Sequence, residues 1–204
     1  MGSIKYFNSF LLLLFLYAQI GMSAILNAQV VLDGSLGIKG SISGPDYAIT
    51  ADLGLQQGNN LFHSFNTFDI NTLETAIFSG PNSISNIISR VTDGKTSFID
   101  GKIQSTITDA NFYFLNPGGI MFGPNASLDV TGSFHASAGD YLLFTDNSFF
   151  YADPAKVSIL TIAPPAAFGL LSDNPATLTA SGSLLSVPKG EYISLSGGNI
   201  TLDN

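Results

Sequence analysis

The feature that most constrains the fold is a succession of short apolar–polar alternations separated by Gly, Asn, Asp and Pro. In the C-terminal half, three segments share a turn, an alternation, a Gly-containing turn and a second alternation: NASLDVTGSFHAS (125–137), NPATLTASGSLLSV (174–187) and GEYISLSGGNITL (190–202). Strand-turn-strand units of about twenty residues are typical of coils stacked in a parallel β-solenoid. A β-sandwich also consists of short strands, so the pattern favours the solenoid and leaves the sandwich as the alternative.

Most of the remaining chain predicts strands in the same way, and one segment has the spacing of a helix. The strand candidates are 28–33, 47–50, 61–70, 75–80, 89–107, 110–116, 119–123, 127–139, 178–187 and 191–203. In NSISNIISRV (82–91), the residues Ile84, Ile87, Ile88 and Val91 stand at helical spacing. Because that segment is short and rich in Ser and Asn, a helix and a strand are equally expected there.

Two Asp-Gly pairs, at 93–94 and 100–101, lie between strand candidates. Asp-Gly favours the positive φ angles of tight two-residue turns between antiparallel strands. The two pairs therefore predict two consecutive hairpin reversals.

The charge of the chain argues against anionic binding partners. The absence of cysteine means that disulfides cannot stabilise the core. Charged residues make up 11% of the chain, the net charge is −8, and Arg90 is the single arginine. Binding to nucleic acid or to an anionic membrane surface needs clustered Lys and Arg, so neither partner is expected. There is no cysteine, so burial and hydrogen bonds must hold the core without disulfides.

The N-terminus has the pattern of a secretory signal peptide, which we assign to residues 1–28. Lys5 provides the positive region, FLLLLFLYAQI (10–20) the apolar region and GMSAILNA (21–28) the small residues before cleavage. We expect cleavage after Ala28, with Ala24 as the alternative, and a mature domain over residues 29–204. The apolar stretch is short for a membrane span, so a permanent N-terminal anchor is the less favoured interpretation. The chain stops at GGNITLDN without a closing cap, from which we expect the opening part of a longer protein.

Candidate catalytic and metal-binding groups are sparse. His63 and His135 lie on separate strand candidates, and the chain has no Gly-x-Ser-x-Gly or His-Glu-x-x-His motif. A serine triad and a zinc site therefore have no local support. Most aspartates stand beside Gly, Asn or Pro, where they are typical turn formers. We expect no catalytic residues, no metal site and no cofactor.

The middle of the chain carries a more specific signature. The segments SGPNSISNIISRVTDGKTSFIDGKI (79–103) and ANFYFLNPGGIMFGPNASLDVTGSFHASAGDYLLF (110–144) resemble the filamentous-haemagglutinin N-terminal domain, also called the haemagglutination activity domain. The version here, with SRVTDG and APPAAFG, is most similar to cyanobacterial and related Gram-negative exoproteins. The resemblance extends from about Gln29 to LLSVPKGEYISLSGGNITLD (184–203) and so covers nearly all of the expected mature domain.

The resemblance implies an all-β fold, a right-handed, single-stranded parallel β-helix with an N-terminal cap and extra-helical hairpins. It also implies a non-enzymatic secretion module of two-partner secretion, recognised in the periplasm by an outer-membrane β-barrel transporter. The exoprotein is then expected to cross unfolded and to fold at the cell surface, as a secreted adhesin or haemagglutinin with a host or cell-surface ligand. We expect a monomer without a permanent membrane span. A β-helix carbohydrate-active enzyme and a self-standing surface structural protein are the alternatives.

The resemblance also marks candidate recognition residues. The family motif Asn-Pro-Asn-Gly-Ile corresponds to Asn116, Pro117, Gly118, Gly119 and Ile120, with Gly118 in place of Asn. Because Gly can adopt the left-handed turn geometry that Asn also tolerates, we expect the turn to survive this difference. Pro81 and Asn82, in GPNSI (80–84), are the weaker candidates for the first motif of the family. Arg90 could contact a transporter carboxylate or, equally, form an ion pair inside its own chain.

Overall fold

The computed structural model describes residues 29–203, so the expected leader (1–28) and both candidate cleavage sites lie outside the described part. The regular secondary structure of residues 29–203 consists of short strands and one 3-10 helix at Ala51–Leu53. In chain order the strands are β1 (Val30–Asp33), β2 (Lys39–Ser41), β3 (Asp46–Thr50), β4 (Leu55–Gln57), β5 (Asn60–Phe68), β6 (Thr75–Ser79), β7 (Asn86–Val91), β8 (Ser97–Ile99), β9 (Lys102–Ser105), β10 (Asn111–Leu115), β11 (Ile120–Phe122), β12 (Ser127–Asp129), β13 (Phe134–Ser137), β14 (Tyr141–Phe144), β15 (Phe149–Tyr151), β16 (Pro165–Gly169), β17 (Leu178–Ser181), β18 (Ile193–Ser196) and β19 (Ile200–Asp203). Within 29–203, no helix is long and apolar enough to span a membrane.

Parallel strands form the three faces of a β-helix. The first face has the order β18-β13-β10-β7-β5, the second β19-β17-β11-β8 and the third β12-β9-β6-β3. A complete coil passes through the first, second and third faces in turn, as β7, β8 and β9 do before β10 begins the next coil. Asn60, Asn86 and Asn111 are partners in register on the first face, so successive coils begin at the same position of that face.

The core is the space enclosed by the three faces, and aromatic side chains fill much of it. Parallel strands in register place equivalent side chains of successive coils above one another, and Phe112 and Phe134 pair in this way with ring centroids 5.7 Å apart. Phe78 of the third face meets Phe112 edge-on at 4.7 Å. A sandwich core would lie between two packed antiparallel sheets. The enclosed core and the parallel faces therefore confirm the predicted β-helix and exclude the sandwich.

Antiparallel strands cap the N-terminal end of the first face. The outer edge of β5 pairs with β1 through Val30 and Phe68 and with β4 through Leu55 and Phe62, and β2 continues the sheet beyond β1. An uncovered edge would expose a row of unpaired N–H and C=O groups that templates aggregation. The predicted N-terminal cap is thus present and covers this edge.

A three-stranded antiparallel sheet, in the order β15-β14-β16, leaves the β-helix between β13 and β17. We call it the extra-helical sheet. Its inner side packs on the outside of the first face, where Leu142, Phe144 and Phe150 form a second core with Phe62 and Ile88. Every residue of β7 is consequently buried, because one side faces the β-helix interior and the other faces this sheet. The segment with helical spacing is therefore a strand covered on both sides.

The two Asp-Gly pairs lie at corners of the β-helix, and the predicted hairpin reversals are wrong. Asp93 and Gly94 lie between β7 and β8, and Asp100 and Gly101 lie between β8 and β9, which belong to different faces. Gly94 has a φ of +74°, whereas a Cβ on Gly101 would lie 2.4 Å from the Glu74 carbonyl oxygen. An Asp-Gly pair thus permits a sharp change of direction, but the coil geometry directs the next strand onto another face.

Candidate functional site

The motif Asn116–Ile120 forms the corner where the chain turns from β10 on the first face to β11 on the second. We call it the Asn116 corner. The Gly119 N–H donates to the Asn116 carbonyl oxygen at 3.0 Å, and the Gly118 N–H donates to Asn116 Oδ1 at 2.8 Å. This side-chain-closed turn is the Asx type expected when Asn precedes a reversal. Ile120, directly after the turn, is buried in the core.

Asn116 is buried and connects successive coils through hydrogen bonds, which we call the Asn116 lock. Its side chain is fully buried, and Nδ2 donates to the Lys95 carbonyl oxygen and to Ser97 Oγ, both at 2.9 Å. Its backbone N–H donates to the Ser137 carbonyl oxygen of the next coil at 2.9 Å. Because the amide uses both N–H groups and its oxygen, Asn116 ties together the corner of the preceding coil, its own turn and the coil that follows.

The two glycines of the corner are required for different reasons. A Cβ on Gly118 would lie 2.4 Å from the Lys95 carbonyl oxygen, so this position lacks room for any side chain. The positive φ of the turn belongs to Gly119, at +105°. The expected turn is therefore present with Gly118, but close approach to the preceding coil, and not its own φ angle, constrains this residue.

The outward side of the corner is partly exposed at Pro117 and Gly118. Pro117 borders a cleft of about 420 Å³ whose other lining residues include Asp140, Asn174, Pro175 and Asn199. The cleft lies between the corner and the residues that lead into β17, where Pro117 and the amide and carboxylate groups face solvent. A polypeptide segment of a partner would meet both a rigid ring and hydrogen-bonding groups here.

Sequence reasoning missed that an Asn-Pro pair occurs twice at this corner. Ile120 pairs with Leu178 in register, and each residue follows four positions after an Asn-Pro start. Asn174-Pro175 thus occupies, in the next coil, the place of Asn116-Pro117. The repeated Asn-Pro spacing before an apolar strand residue was the signal available in the sequence.

Pro81 and Asn82 lie on an exposed turn between β6 and β7, where the Ile84 N–H donates to the Pro81 carbonyl oxygen at 3.1 Å. This turn connects the third face to the first. The Asn116 corner connects the first face to the second, so the structure places the two candidate motifs at different corners of the coil.

Arg90 points away from solvent, beneath the extra-helical sheet. It is 3% exposed, and its Nε donates to Ser64 Oγ at 2.7 Å and its Nη2 to Ser35 Oγ at 2.8 Å. Both hydroxyls donate onward to the Asp33 carboxylate, at 2.7 and 2.8 Å. Nη1 donates to the Tyr151 carbonyl oxygen, and the guanidinium carbon lies 4.5 Å from the centroid of the Phe150 ring.

The Arg90 charge is therefore compensated inside the molecule. Burial lowers the pKa of Arg90, against the opposing effect of Asp33. Burial alone would raise the pKa of Asp33, but hydrogen bonds from Ser64 and Ser35 and the Arg90 charge outweigh it and lower this pKa. Arg90 reaches its counter-charge through two serine hydroxyls, and its contacts are with its own chain.

The two histidines are not brought together. His63 is buried in β5, where Nε2 lies 3.2 Å from the Thr50 carbonyl oxygen, and burial lowers its pKa to about 4. His135, on β13, stacks on Tyr113 with ring centroids 4.5 Å apart. Within residues 29–203, no group of three or more His, Cys, Asp and Glu side chains could hold a metal ion.

A coil of three parallel faces with one capped end, an extra-helical sheet and corners closed by buried polar side chains defines the class of capped β-helix modules. Residues 28–204 match the family of the TPS secretion domain, and the chain belongs to that family. The resemblance seen in the sequence is thereby confirmed, and the chain is a module of a two-partner-secretion exoprotein. The family is one of non-enzymatic secretion modules. No curated protein matches this chain.

Proposed function

We propose that an outer-membrane β-barrel transporter recognises this domain, and that the Asn116 corner belongs to the recognised surface. Two observations support the proposal: the family to which the chain belongs, and the half-exposed Pro117 beside an open cleft of about 420 Å³. The cleft at this corner is the single structural observation on which the assignment rests.

The residues of the corner have different roles in this proposal. Asn116 and Ile120 are buried, so they set the shape of the corner, and Gly118 and Gly119 allow the chain to turn there. Pro117 and the polar groups of the neighbouring cleft present that shape to the transporter. Recognition then depends on a folded corner, because the outward surface has this shape only when the buried Asn116 side chain makes its hydrogen bonds.

Pro81 and Asn82 form a second proposed contact. Both are exposed. Because they lie at another corner, a different part of the transporter can bind them. Arg90 is left out of the proposed surface because its guanidinium is occupied inside the molecule.

The proposed route begins with the leader (1–28), which directs the chain to the periplasm and is removed after Ala28. The domain over 29–204 then engages the transporter, and the exoprotein reaches the cell surface as an adhesin. After the folded corner is recognised, the rest of the exoprotein crosses the outer membrane unfolded and folds outside. Each coil that forms buries a further layer of core, and full burial of one Phe side chain stabilises by about 1.5–3 kcal/mol, which favours outward movement.

Secretion of corner variants tests this proposal. In cells that express the full exoprotein and its transporter, Asn116→Ala combined with Pro117→Ala should abolish secretion while export to the periplasm continues. Pro117→Arg, which leaves the Asn116 lock in place, should also block secretion, because it changes only the presented surface. Val157→Arg adds the same charge at a side chain that is 85% exposed elsewhere and serves as the control. Normal secretion of both corner variants would contradict the proposal, and circular dichroism of the refolded domains separates misfolding from lost recognition.

A further inference from the structure

The outer side of the extra-helical sheet is unusually apolar. In β14, Leu142 and Phe144 point inward to the second core, while Tyr141 on the opposite side is half-buried. In β15, Phe149 and Tyr151 lie on the outer side, also half-buried. The solvent side of an antiparallel sheet normally alternates to polar residues. Here, three aromatic side chains lie on the outer side and contact one another.

These three rings, which we call the aromatic platform, form one continuous patch. Tyr141 and Tyr151 are directly opposite in register, with ring centroids 5.8 Å apart. Phe149 and Tyr151 are stacked at 5.6 Å with an interplanar angle of 16°, and Phe149 lies 5.2 Å from Tyr141. On the other side, the Tyr141 ring covers Gly169, where a Cβ would lie 1.9 Å from Tyr141 Cζ. A glycine at this position is thus required for the ring to extend the patch over β16.

The platform already holds a cation. Lys156 Nζ lies 5.3 Å from the centroid of the Tyr151 ring, within the range of a cation–π contact. Lys156 is exposed and is carried by a turn in which its N–H donates to the Asp153 carbonyl oxygen at 3.1 Å. The ammonium can therefore leave the ring without disturbing the sheet.

A carboxylate lies beside the same patch. Asp153 is exposed two residues beyond Tyr151. The whole chain has a net charge of −8, which attracts cationic partners over long range. Aromatic faces beside an exposed carboxylate are complementary to an ammonium or guanidinium group.

We propose that the aromatic platform binds a basic polypeptide segment, with a Lys or Arg side chain of the partner over Tyr151 and Lys156 holding that place when the partner is absent. The Asp153 carboxylate and the net negative charge select a basic segment, and the ring faces supply the contact. None of the three rings lines the cleft at the Asn116 corner, so the platform serves an interaction beyond the proposed transporter recognition.

Binding of a fluorescently labelled octa-arginine peptide, followed by anisotropy at low ionic strength, tests the proposal. Tyr151→Leu should weaken binding about two- to fivefold, the loss expected for one exposed cation–π contact. Tyr192→Leu is the matched control, because Tyr192 is 73% exposed on another part of the surface and neither substitution changes the net charge. Equal affinities of the two variants would overturn the proposal.

Removal of the internal cation gives an independent arm that does not alter the platform. Lys156→Gln should bind the peptide more tightly than Lys189→Gln, although both variants have the same net charge. Both lysines are exposed, so neither change should impair folding. If the two lysine variants bind equally, attraction to the net negative charge alone explains binding, and the proposal fails.

Discussion

At the scale of single residues, buried polar side chains decide the shape of the corners. Asn116 satisfies two carbonyl or hydroxyl acceptors and one backbone N–H, and its side chain is inaccessible to solvent. Leaving a buried donor or acceptor without a partner costs about 1–3 kcal/mol, and more where a charge is created. The corner is therefore sensitive to changes of chemistry that hardly alter its volume.

Replacement of Asn116 by Asp tests the lock at constant shape. Asn116→Asp keeps the acceptor for the Gly118 N–H but turns a carboxylate oxygen toward the Lys95 carbonyl oxygen. We expect a loss of about 3 kcal/mol or more in the free energy of unfolding, measured by urea denaturation. Asn174→Asp, at the equivalent but exposed position of the next coil, should cost less than about 0.5 kcal/mol. Similar losses for the two variants would contradict the assigned role of Asn116.

Gly118 stands where the family motif has Asn, and replacing it by Asn should destabilise the folded domain. A Cβ at Gly118 meets the backbone of Lys95 at 2.4 Å, so Gly118→Asn must displace the corner beneath it. We expect a destabilisation of about 2 kcal/mol or more. Gly94→Asn is the control, since Gly94 has open space and a φ of +74° that Asn tolerates. A comparison of the urea midpoints of the two variants shows whether close approach to the preceding coil or the backbone φ angle restricts the side chain at position 118.

His63 should make stability depend on pH. Its pKa in the folded state is about 4, below the ordinary value of 6.5, because burial disfavours the imidazolium. Between these values the unfolded chain binds the proton and the folded chain does not. Stability is therefore full above pH 6.5 and falls as the pH is lowered toward 4, by about 3 kcal/mol in total.

The measurement compares urea denaturation of the wild type and of His63→Gln between pH 7 and pH 4. The difference in unfolding free energy between the two proteins should shrink as the pH falls, because the variant lacks the titrating group. A constant difference across this range would show that His63 does not contribute to the acid sensitivity.

At the scale of structural elements, the outer side of the first face determines how the extra-helical sheet is attached. Asn60 Nδ2 donates to the carbonyl oxygens of Thr161 and Ala163, at 2.9 and 2.7 Å, and Arg90 donates to that of Tyr151. These side chains hold an inserted segment whose strands pair only with each other. The apolar contacts of Phe62 and Ile88 complete the attachment.

Loss of Arg90 should loosen that attachment. Arg90→Gln removes the charge that faces Asp33 and the donor to Tyr151, and breaking such a buried pair costs about 3–5 kcal/mol. We expect faster amide hydrogen exchange in β14 and β15, while the strands of the third face remain protected. Lys189→Gln removes an exposed cation elsewhere on the surface and should leave exchange unchanged. Uniform exchange changes over the whole molecule would contradict a local role.

At the scale of the whole molecule, stacking makes each coil depend on its neighbours. Phe112 contacts Phe78 of the third face and Phe134 of the next coil, and all three are fully buried. A cavity in the middle of the stack therefore weakens contacts on both sides of it. Local destabilisation therefore extends to neighbouring coils along the axis of the β-helix.

Truncation at the centre of the stack should destabilise the entire domain. Phe112→Ala is expected to lower the free energy of unfolding by about 3–5 kcal/mol, the usual cost for a buried Phe. Phe98→Ala, at a side chain that is 39% exposed on β8, should cost about 1 kcal/mol or less. Urea denaturation followed by circular dichroism measures both. Comparable losses would show that the aromatic stack is not the main source of cohesion.

The strand-rich, solenoid-like character of the chain was predictable because alternation and turn residues are local signals. The motif at Asn116–Ile120 was also recognisable, since its Asn, Pro and Gly residues are adjacent in sequence. The outcome at NSISNIISRV (82–91) was not predictable, because burial of Ile88 comes from strands more than fifty residues later in the chain. For the same reason, sequence alone could not place the Arg90 guanidinium beneath Tyr151.

By itself, the sequence determined that this protein folds into short strands joined by sharp turns and that it carries the signature of a secretion module. Those properties depend on residues close together in the chain. Only the tertiary structure decided which strands share a face, that Gly118 is constrained by the Lys95 carbonyl oxygen, and which aromatic side chains stay on the surface. These features arise when coils stack, because stacking brings into contact groups that local sequence leaves far apart.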